Sequence, residues 1–135
     1  RNFNIDSISV GITENPDYSK MTITTYGDEK QIEQIVKQLD KMIDTVKVEH
    51  LDEHKTVFRE LSIFKIKLSN ANDSMEINKL ANAYGGKVHD VKKDSIMVEL
   101  TATPDQIKAF EELAKPFGIL DVARTGVAAL QRSGV

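Results

Sequence analysis

Apolar residues recur at helical spacing in three segments of the chain. In the longest segment they fall at offsets of 0, 3, 4, 7, 10 and 11 from Ile32, which places them on one face of a helix. Asp28 and Thr103 stand where a side-chain oxygen caps a first turn, and the pair Gly85-Gly86 stands where a helix stops. The pattern therefore predicts three helices. They cover residues 28–43, 74–84 and 104–115.

Alternation of apolar and polar residues predicts the strands. Residues 8–12 and 21–25 alternate on either side of a turn that contains Asn15 and Pro16, so they predict an antiparallel hairpin. Residues 58–68 are apolar on both faces, which is typical of an inner strand. The remaining predicted strands are residues 46–48, 88–91, 96–100 and 119–122.

The two halves of the chain share one pattern. Shifting the sequence by 75 or 74 positions superimposes similar residues, such as Gln31 on Gln106 and Leu39 on Leu113. The second half reads βαββαβ, the ferredoxin-like order, and the first half begins at the third element of that order. The predicted fold class is therefore α+β with two tandem ferredoxin-like βαββαβ units. They cover residues 1–52, without the start of the unit, and 57–126, and are followed by a tail at residues 127–135.

Each predicted unit covers one face of its sheet with helices and leaves the other face free. An uncovered sheet face or edge favours pairing between copies of a chain. We therefore expect a homodimer.

Composition and charge exclude several classes of function. The apolar share of 40% is ordinary for a globular protein, and a net charge of −3 argues weakly against a nucleic-acid partner. The absence of cysteine excludes disulfides, thiolate nucleophiles and sulfur-based zinc sites. No apolar run reaches the roughly 20 residues that a membrane span needs, so no membrane partner is expected.

Few residues have the spacing of a catalytic, metal-binding or phosphate-binding site. His50 and His54 lie four apart, but they straddle a strand end and a linker, so solvated side chains are favoured over a metal site. His89 alternates with apolar neighbours, which favours an outward-facing strand residue over a general base. The Gly85-Gly86 pair follows a helix and precedes a strand, the opposite of a phosphate-binding loop. No catalytic residue and no metal ligand is predicted, and a binding or regulatory module is favoured over an enzyme.

Four stretches of the chain resemble one known family, the regulatory (small) subunit of acetolactate synthase. The stretches are RNFNIDSISVG at 1–11, SKMTI at 19–23, VFREL at 57–61 and DVARTGVAAL at 121–130. They occur in the order and at the spacing of that family, and the similarity runs the whole length of the chain. The resemblance implies an N-terminal ACT domain, which is a βαββαβ unit, and a second domain of related architecture.

The resemblance also implies a function. A small subunit of this family is non-catalytic, activates the large subunit, and confers feedback inhibition by valine or another branched-chain amino acid. The large subunit carries thiamine diphosphate, FAD and magnesium, and this chain is expected to hold no cofactor itself. The enzyme condenses pyruvate with a second 2-oxo acid in branched-chain amino-acid biosynthesis, for which the cytoplasm is the default compartment.

Effector-binding residues follow from the same resemblance. The family's effector site lies between ACT domains of two subunits, and the start of its second strand corresponds here to Asn4 and Ile5. An Asn amide offers a donor for a carboxylate and an acceptor for an ammonium group, and Ile5 suits a branched side chain. Gly11 marks either a close backbone approach near the same dimer seam or a bulge. Gln34 and Lys37 on the longest helix are candidate contacts with the large subunit.

A different class of function stays open. The chain could be a stand-alone ACT-type amino-acid sensor, or a structural dimer without an enzyme partner. Recovery of a thiamine-dependent large subunit with the purified chain separates these hypotheses.

The repeat predicts that the natural protein is longer at its N-terminus. By analogy with residues 58–86, about 29 residues would supply the first strand and helix of the first unit. That strand is an inner one in a ferredoxin-like sheet, and its absence would leave neighbouring strand edges unpaired. Mass spectrometry of the native protein is expected to show residues before Arg1, and a mature start at Arg1 would refute the prediction.

Overall fold

The computed structural model describes residues 5–134, which form six strands and three α-helices. In chain order the elements are β1 (Ile5–Ile12), β2 (Ser19–Thr25), α1 (Glu29–Asp40), β3 (Thr56–Lys67), α2 (Asp73–Ala83), β4 (Lys87–Val91), β5 (Ser95–Ala102), α3 (Pro104–Ala114) and β6 (Ile119–Gln131). Short 3₁₀ turns cover Glu53–Lys55 and Lys115–Phe117. The chain divides into two compact units, residues 59–126 and residues 1–58 with 127–135.

The second unit, residues 59–126, has the predicted βαββαβ order. Its sheet is ordered β4-β5-β3-β6, so its first and third strands are the inner ones. β3 pairs antiparallel with β5 from Glu60↔Ala102 to Lys67↔Ser95. The α+β fold class is confirmed, and residues 56–67 form an inner strand, as predicted for 58–68. Only one of its faces is buried, however, since Phe64 and Ile66 are buried while Lys65 and Lys67 are exposed.

The core of this unit lies between the sheet and its two helices. Phe64 on β3 packs against Phe110 on α3 with ring centroids 5.1 Å apart, and Tyr84 meets Phe110 edge-on at 6.0 Å. Such tilted aromatic pairs add to the stabilisation from burial alone. The other fully buried members of the cluster are aliphatic. They are Ile66, Ile77, Ala81, Ile96, Val98, Leu100, Ile107 and Ala114.

Local signals fix the helix ends. Thr103 and Gln106 form a reciprocal capping box at the start of α3, and Asp28 and Gln31 do the same at α1. Helix α2 ends in a Schellman motif, in which Gly86 N–H donates to the Ala81 carbonyl and Gly85 N–H to that of Asn82. Gly85 has φ +68°, and a Cβ on Gly86 would lie 2.5 Å from Leu100. The Gly85-Gly86 pair is thus the predicted helix stop.

A buried carboxylate organises the turn before α2. Asp73 is 6% exposed, and its Oδ2 accepts the backbone N–H groups of Ser69 (2.8 Å) and Asn70 (2.9 Å). These hydrogen bonds, Asn70 first, stabilise the ionised form and lower the pKa of Asp73. The loop between β3 and α2 is thereby closed by its own residues.

The first unit contains the predicted hairpin and first helix but buries little. β1 pairs antiparallel with β2 from Ile5↔Thr25 to Ile12↔Ser19. None of the described residues from 5 to 55 is buried. Helix α1 ends at Asp40, three residues before its predicted end, and Ile43 beyond it is 99% exposed. The apolar face of α1 is thus covered only in part.

The predicted strand at Val46 and Val48 is wrong. Residues 45–50 have no strand or helix, and Val46 is 76% exposed. In the second unit the last strand pairs with the first strand, because β6 lies beside β3 at one edge. Residues 5–55 contain no counterpart of that first strand, so a strand at 46–48 has no ladder to join.

Residues 127–131 form a strand, although they were predicted to be part of a tail. β6 continues through them to Gln131, and Arg132 N–H donates to the Lys55 carbonyl at 2.7 Å. Val127 is only 3% exposed. These residues cluster with the first unit, so that unit is assembled from both ends of the sequence.

Two buried hydroxyl groups on β3 predict opposite mutational effects. Ser62 is fully buried, and its Oγ has no hydrogen-bond partner among residues 5–134, whereas buried Thr56 donates to the Asp52 carbonyl at 2.7 Å. Burying an unpaired hydroxyl costs about 1–3 kcal/mol, so Ser62→Ala is expected to leave the free energy of unfolding unchanged or raise it. Thr56→Val is expected to lower it by about 1 kcal/mol. Urea denaturation measures both, and a destabilised Ser62→Ala variant would contradict the prediction.

Candidate functional site

The β1–β2 hairpin has two unlike faces. One face is apolar and exposed, with exposed fractions of 49% for Ile8, 62% for Val10 and 57% for Met21. The register joins Ile8 to Ile23 and Val10 to Met21, so these side chains form one continuous patch. This patch is therefore an apolar surface that no other described residue covers.

The opposite face carries hydroxyl groups and is half-buried. Ser7 lies across from Thr24 and Ser9 from Thr22, and the Ser7 and Thr24 hydroxyl oxygens are 2.5 Å apart. Ser9 Oγ donates to the backbone carbonyl of Val127, also at 2.5 Å. This face therefore contacts the end of β6, which the sequence pattern did not indicate. A contact across 118 residues leaves no periodic signal.

Of the predicted effector-binding residues, Asn4 lies outside the described residues. Ile5 begins β1 opposite Thr25 and is 50% exposed, so part of its side chain is available to a ligand. Gly11 lies six residues further along the same strand, which corresponds to about 20 Å. One amino acid cannot span that distance, so a single copy of the chain does not bring Ile5 and Gly11 into one pocket.

Gly11 is not at a bulge. β1 and β2 stay in register around the Gly11↔Lys20 pair, and the irregularity lies between Ile5 and Ser7 instead. No heavy atom of a non-neighbouring residue lies within 4 Å of the position that a Cβ on Gly11 would occupy. The space beside Gly11 is thus open in the single chain.

Gln34 and Lys37, the predicted partner contacts, share an exposed face of α1. Both side chains are exposed, and a spacing of three residues places them side by side on a helix. The stripe of Ile32, Ile35 and Leu39 is turned away from them and is half-buried. The pair is therefore sterically accessible to a partner protein.

The histidines do not form a metal centre. His54 lies in the 3₁₀ turn, where its backbone N–H donates to Asp52 Oδ1, and His89 Nε2 lies 2.6 Å from Glu99 Oε1 on the neighbouring strand. Within residues 5–134, no group of three or more His, Cys, Asp or Glu side chains converges as metal ligands would. Over the same residues, no helix is both long and apolar enough to cross a bilayer.

A glycine with positive φ stands in β6 immediately before the residue that Ser9 contacts. Gly126 is buried and has φ +85°, a conformation that favours glycine. Next to it, Thr125 Oγ1 accepts the Leu61 N–H at 3.1 Å and lies 2.7 Å from the Gly126 carbonyl, to which it donates. A side-chain hydroxyl of β6 thus bonds to the backbone of β3 two residues before Val127.

Both parts of the chain match models of protein families. The family described as "Small subunit of acetolactate synthase" matches residues 59–133. The family described as "AHAS small subunit-like ACT domain" matches residues 1–47.

Relatives with the same description come from distant organisms. A probable acetolactate synthase small subunit from Methanothermobacter thermautotrophicus is 42% identical over 132 residues, which covers 98% of this chain and 79% of that protein. The acetolactate synthase small subunit of Aquifex aeolicus is also 42% identical, with 98% and 69% covered. That of Bacillus subtilis is 40% identical, with 98% and 77% covered.

A solved structure has the same fold. The crystal structure of an acetolactate synthase small subunit from Thermotoga maritima superimposes with a TM-score of 0.86 at 36% sequence identity. The match covers 100% of this chain and 84% of that one. Sequence and structure therefore point to the same group of proteins.

Proposed function

The chain belongs to the acetolactate synthase small-subunit family, and from this premise we propose that it activates a catalytic large subunit and mediates feedback inhibition by valine. The observation that carries the proposal is that the two parts of the chain match the two domains of this family, the ACT domain at residues 1–47 and the small-subunit domain at residues 59–133.

The large subunit is the proposed partner, and it performs the chemistry. It binds thiamine diphosphate, FAD and magnesium, and this chain contributes no group to the reaction. Gln34 and Lys37 are proposed to contact the large subunit, because both are exposed on one face of α1. Polar side chains at such positions suit the rim of an interface around an apolar centre.

Pairing of two copies is proposed to complete the effector site. Exposed Ile8, Val10 and Met21 give each copy an apolar surface that a homodimer would cover. The open space beside Gly11 allows a second backbone to approach there without meeting a side chain. Gly11 would then lie at the seam between copies, about 20 Å from Ile5 of the same strand.

Valine is the proposed effector, with Asn4 and Ile5 as its contacts. A zwitterion needs a donor for its carboxylate and an acceptor for its ammonium group, and one Asn amide supplies both. The half-exposed side chain of Ile5 offers an apolar surface for the branched side chain. Leucine and isoleucine differ from valine by one methylene, which discriminates by only about 1–3 kcal/mol.

Inhibition follows if valine favours one arrangement of the small subunits, and if that arrangement favours a less active state of the large subunit. Coupling between two such sites is usually worth about 1–3 kcal/mol, or about 5–150-fold in affinity. The coupling is reciprocal, so the large subunit must change the affinity for valine by the same factor.

The test is the activity of the large subunit with and without this chain, across a valine titration. Asn4→Ala is expected to raise the half-inhibitory valine concentration about tenfold or more, because a hydrogen bond to a charged group is lost. Activation without valine is expected to change by less than about twofold, since it uses another surface. Asn82→Ala, an exposed asparagine on α2, is the matched control and should change neither quantity.

Three outcomes contradict parts of the proposal. Unchanged acetolactate production in the presence of the chain would favour the stand-alone sensor or the structural dimer. Equal loss of activation and inhibition in Asn4→Ala would argue against separate sites. If isoleucine or leucine inhibits at a lower concentration than valine does, then that amino acid is the effector instead of valine.

A further inference from the structure

We propose that Ser9 is a positioning residue that couples the effector-binding hairpin to β6, so that its hydroxyl transmits inhibition without touching the effector. This inference rests on the proposed function above. It is carried by one side-chain hydrogen bond and by the way in which its acceptor is held.

The hydrogen bond joins two parts of the first unit that are far apart in the sequence. Ser9 Oγ, on the half-buried face of the hairpin, donates to the Val127 carbonyl at 2.5 Å. The acceptor is a backbone atom, so the bond fixes the hairpin against the path of β6 rather than against a movable side chain. Val127 is 3% exposed, so little water is available to replace the bond.

The stretch of β6 that accepts this bond is held on both sides. Before it, Thr125 Oγ1 accepts the Leu61 N–H, and after it, Arg132 N–H donates to the Lys55 carbonyl. Between these fixed points lies Gly126, whose φ of +85° releases the strand from regular geometry. The Val127 carbonyl therefore lies in a short segment that is bonded to other backbone at both ends and departs from strand geometry at Gly126.

The other end of the bond lies in the strand that begins at the proposed effector contact. Ser9 follows Ile5 by four residues in β1, and the ladder with β2 is regular from Ser7 onwards. The ladder holds residues 7–12 against β2, and the extra residue between Ile5 and Ser7 bends the start of β1. An effector bound at Ile5 therefore acts four residues away from the hydrogen bond that Ser9 makes.

The hairpin contains its own control for this proposal. Ser7 is the same residue type on the same face, two positions away, but its hydroxyl pairs with Thr24 inside the hairpin. Removing the Ser7 hydroxyl therefore removes a hydrogen bond of similar length without touching β6. Ser9→Thr retains a hydroxyl at the coupling position and suits a strand.

The experiment measures coupling and binding separately in the full chain. Valine affinity is determined by calorimetry for the chain alone and for its complex with the large subunit, and the ratio of the two constants is the coupling factor. In the Ser9→Ala variant this coupling factor is expected to be about three- to tenfold closer to one, because one hydrogen bond is lost. Valine affinity of the chain alone should stay within about twofold, and Ser9→Thr should restore the factor. Ser7→Ala should leave the factor unchanged.

Each other result overturns the inference. An unchanged factor in Ser9→Ala means that the bond does not transmit the signal. If Ser7→Ala lowers the coupling factor as much as Ser9→Ala does, the hydroxyl only stabilises the hairpin. The same conclusion holds if the factor falls only because the variant has a lower melting temperature. A tenfold weaker affinity in the Ser9→Ala chain alone makes Ser9 an effector contact. If the unsubstituted chain shows no activation and a factor of one, the proposed function itself has failed.

Discussion

The second unit depends on the burial of one face of its sheet under α2 and α3. Phe64 and Phe110 join the inner strand to α3, and the aliphatic side chains of β5 complete the same layer. The residues of β3 therefore alternate, because helices cover only one face of the sheet: Phe64 and Ile66 are buried on that face, while Lys65 and Lys67 are exposed on the other. Caps and glycine stops then only need to set where each helix begins and ends.

The first unit lacks a comparable layer in this sequence. Its hairpin and helix have correct local signals, including the Asp28–Gln31 capping box, but residues 5–55 contribute no buried side chain. What holds this unit is its contact with the end of β6, through Val127 and the backbone bond between Arg132 and Lys55. Exposed apolar side chains on the hairpin, such as Ile8, Val10 and Met21, accompany this low burial.

The sequence by itself determined the elements and the order of the second unit. Periods of about 3.6 and 2 residues, the Thr103 cap and the Gly85-Gly86 stop are local features, and they identify α3, α2 and the hairpin without reference to any distant residue. Internal repetition added the βαββαβ order. The resemblance supplied Asn4, Ile5, Gly11, Gln34 and Lys37 as site residues, which no periodicity could have done.

Only the tertiary structure decided where strands find partners. Val46 and Val48 alternate as a strand does, yet no neighbouring strand is available to them, whereas residues 127–131 form a strand because β3 continues beside them. The separation of Ile5 from Gly11 and the bond from Ser9 to Val127 were likewise invisible in the sequence. The physical reason is the same in each case. Strand pairing and side-chain contacts join residues that are far apart along the chain, and local pattern carries no information about them.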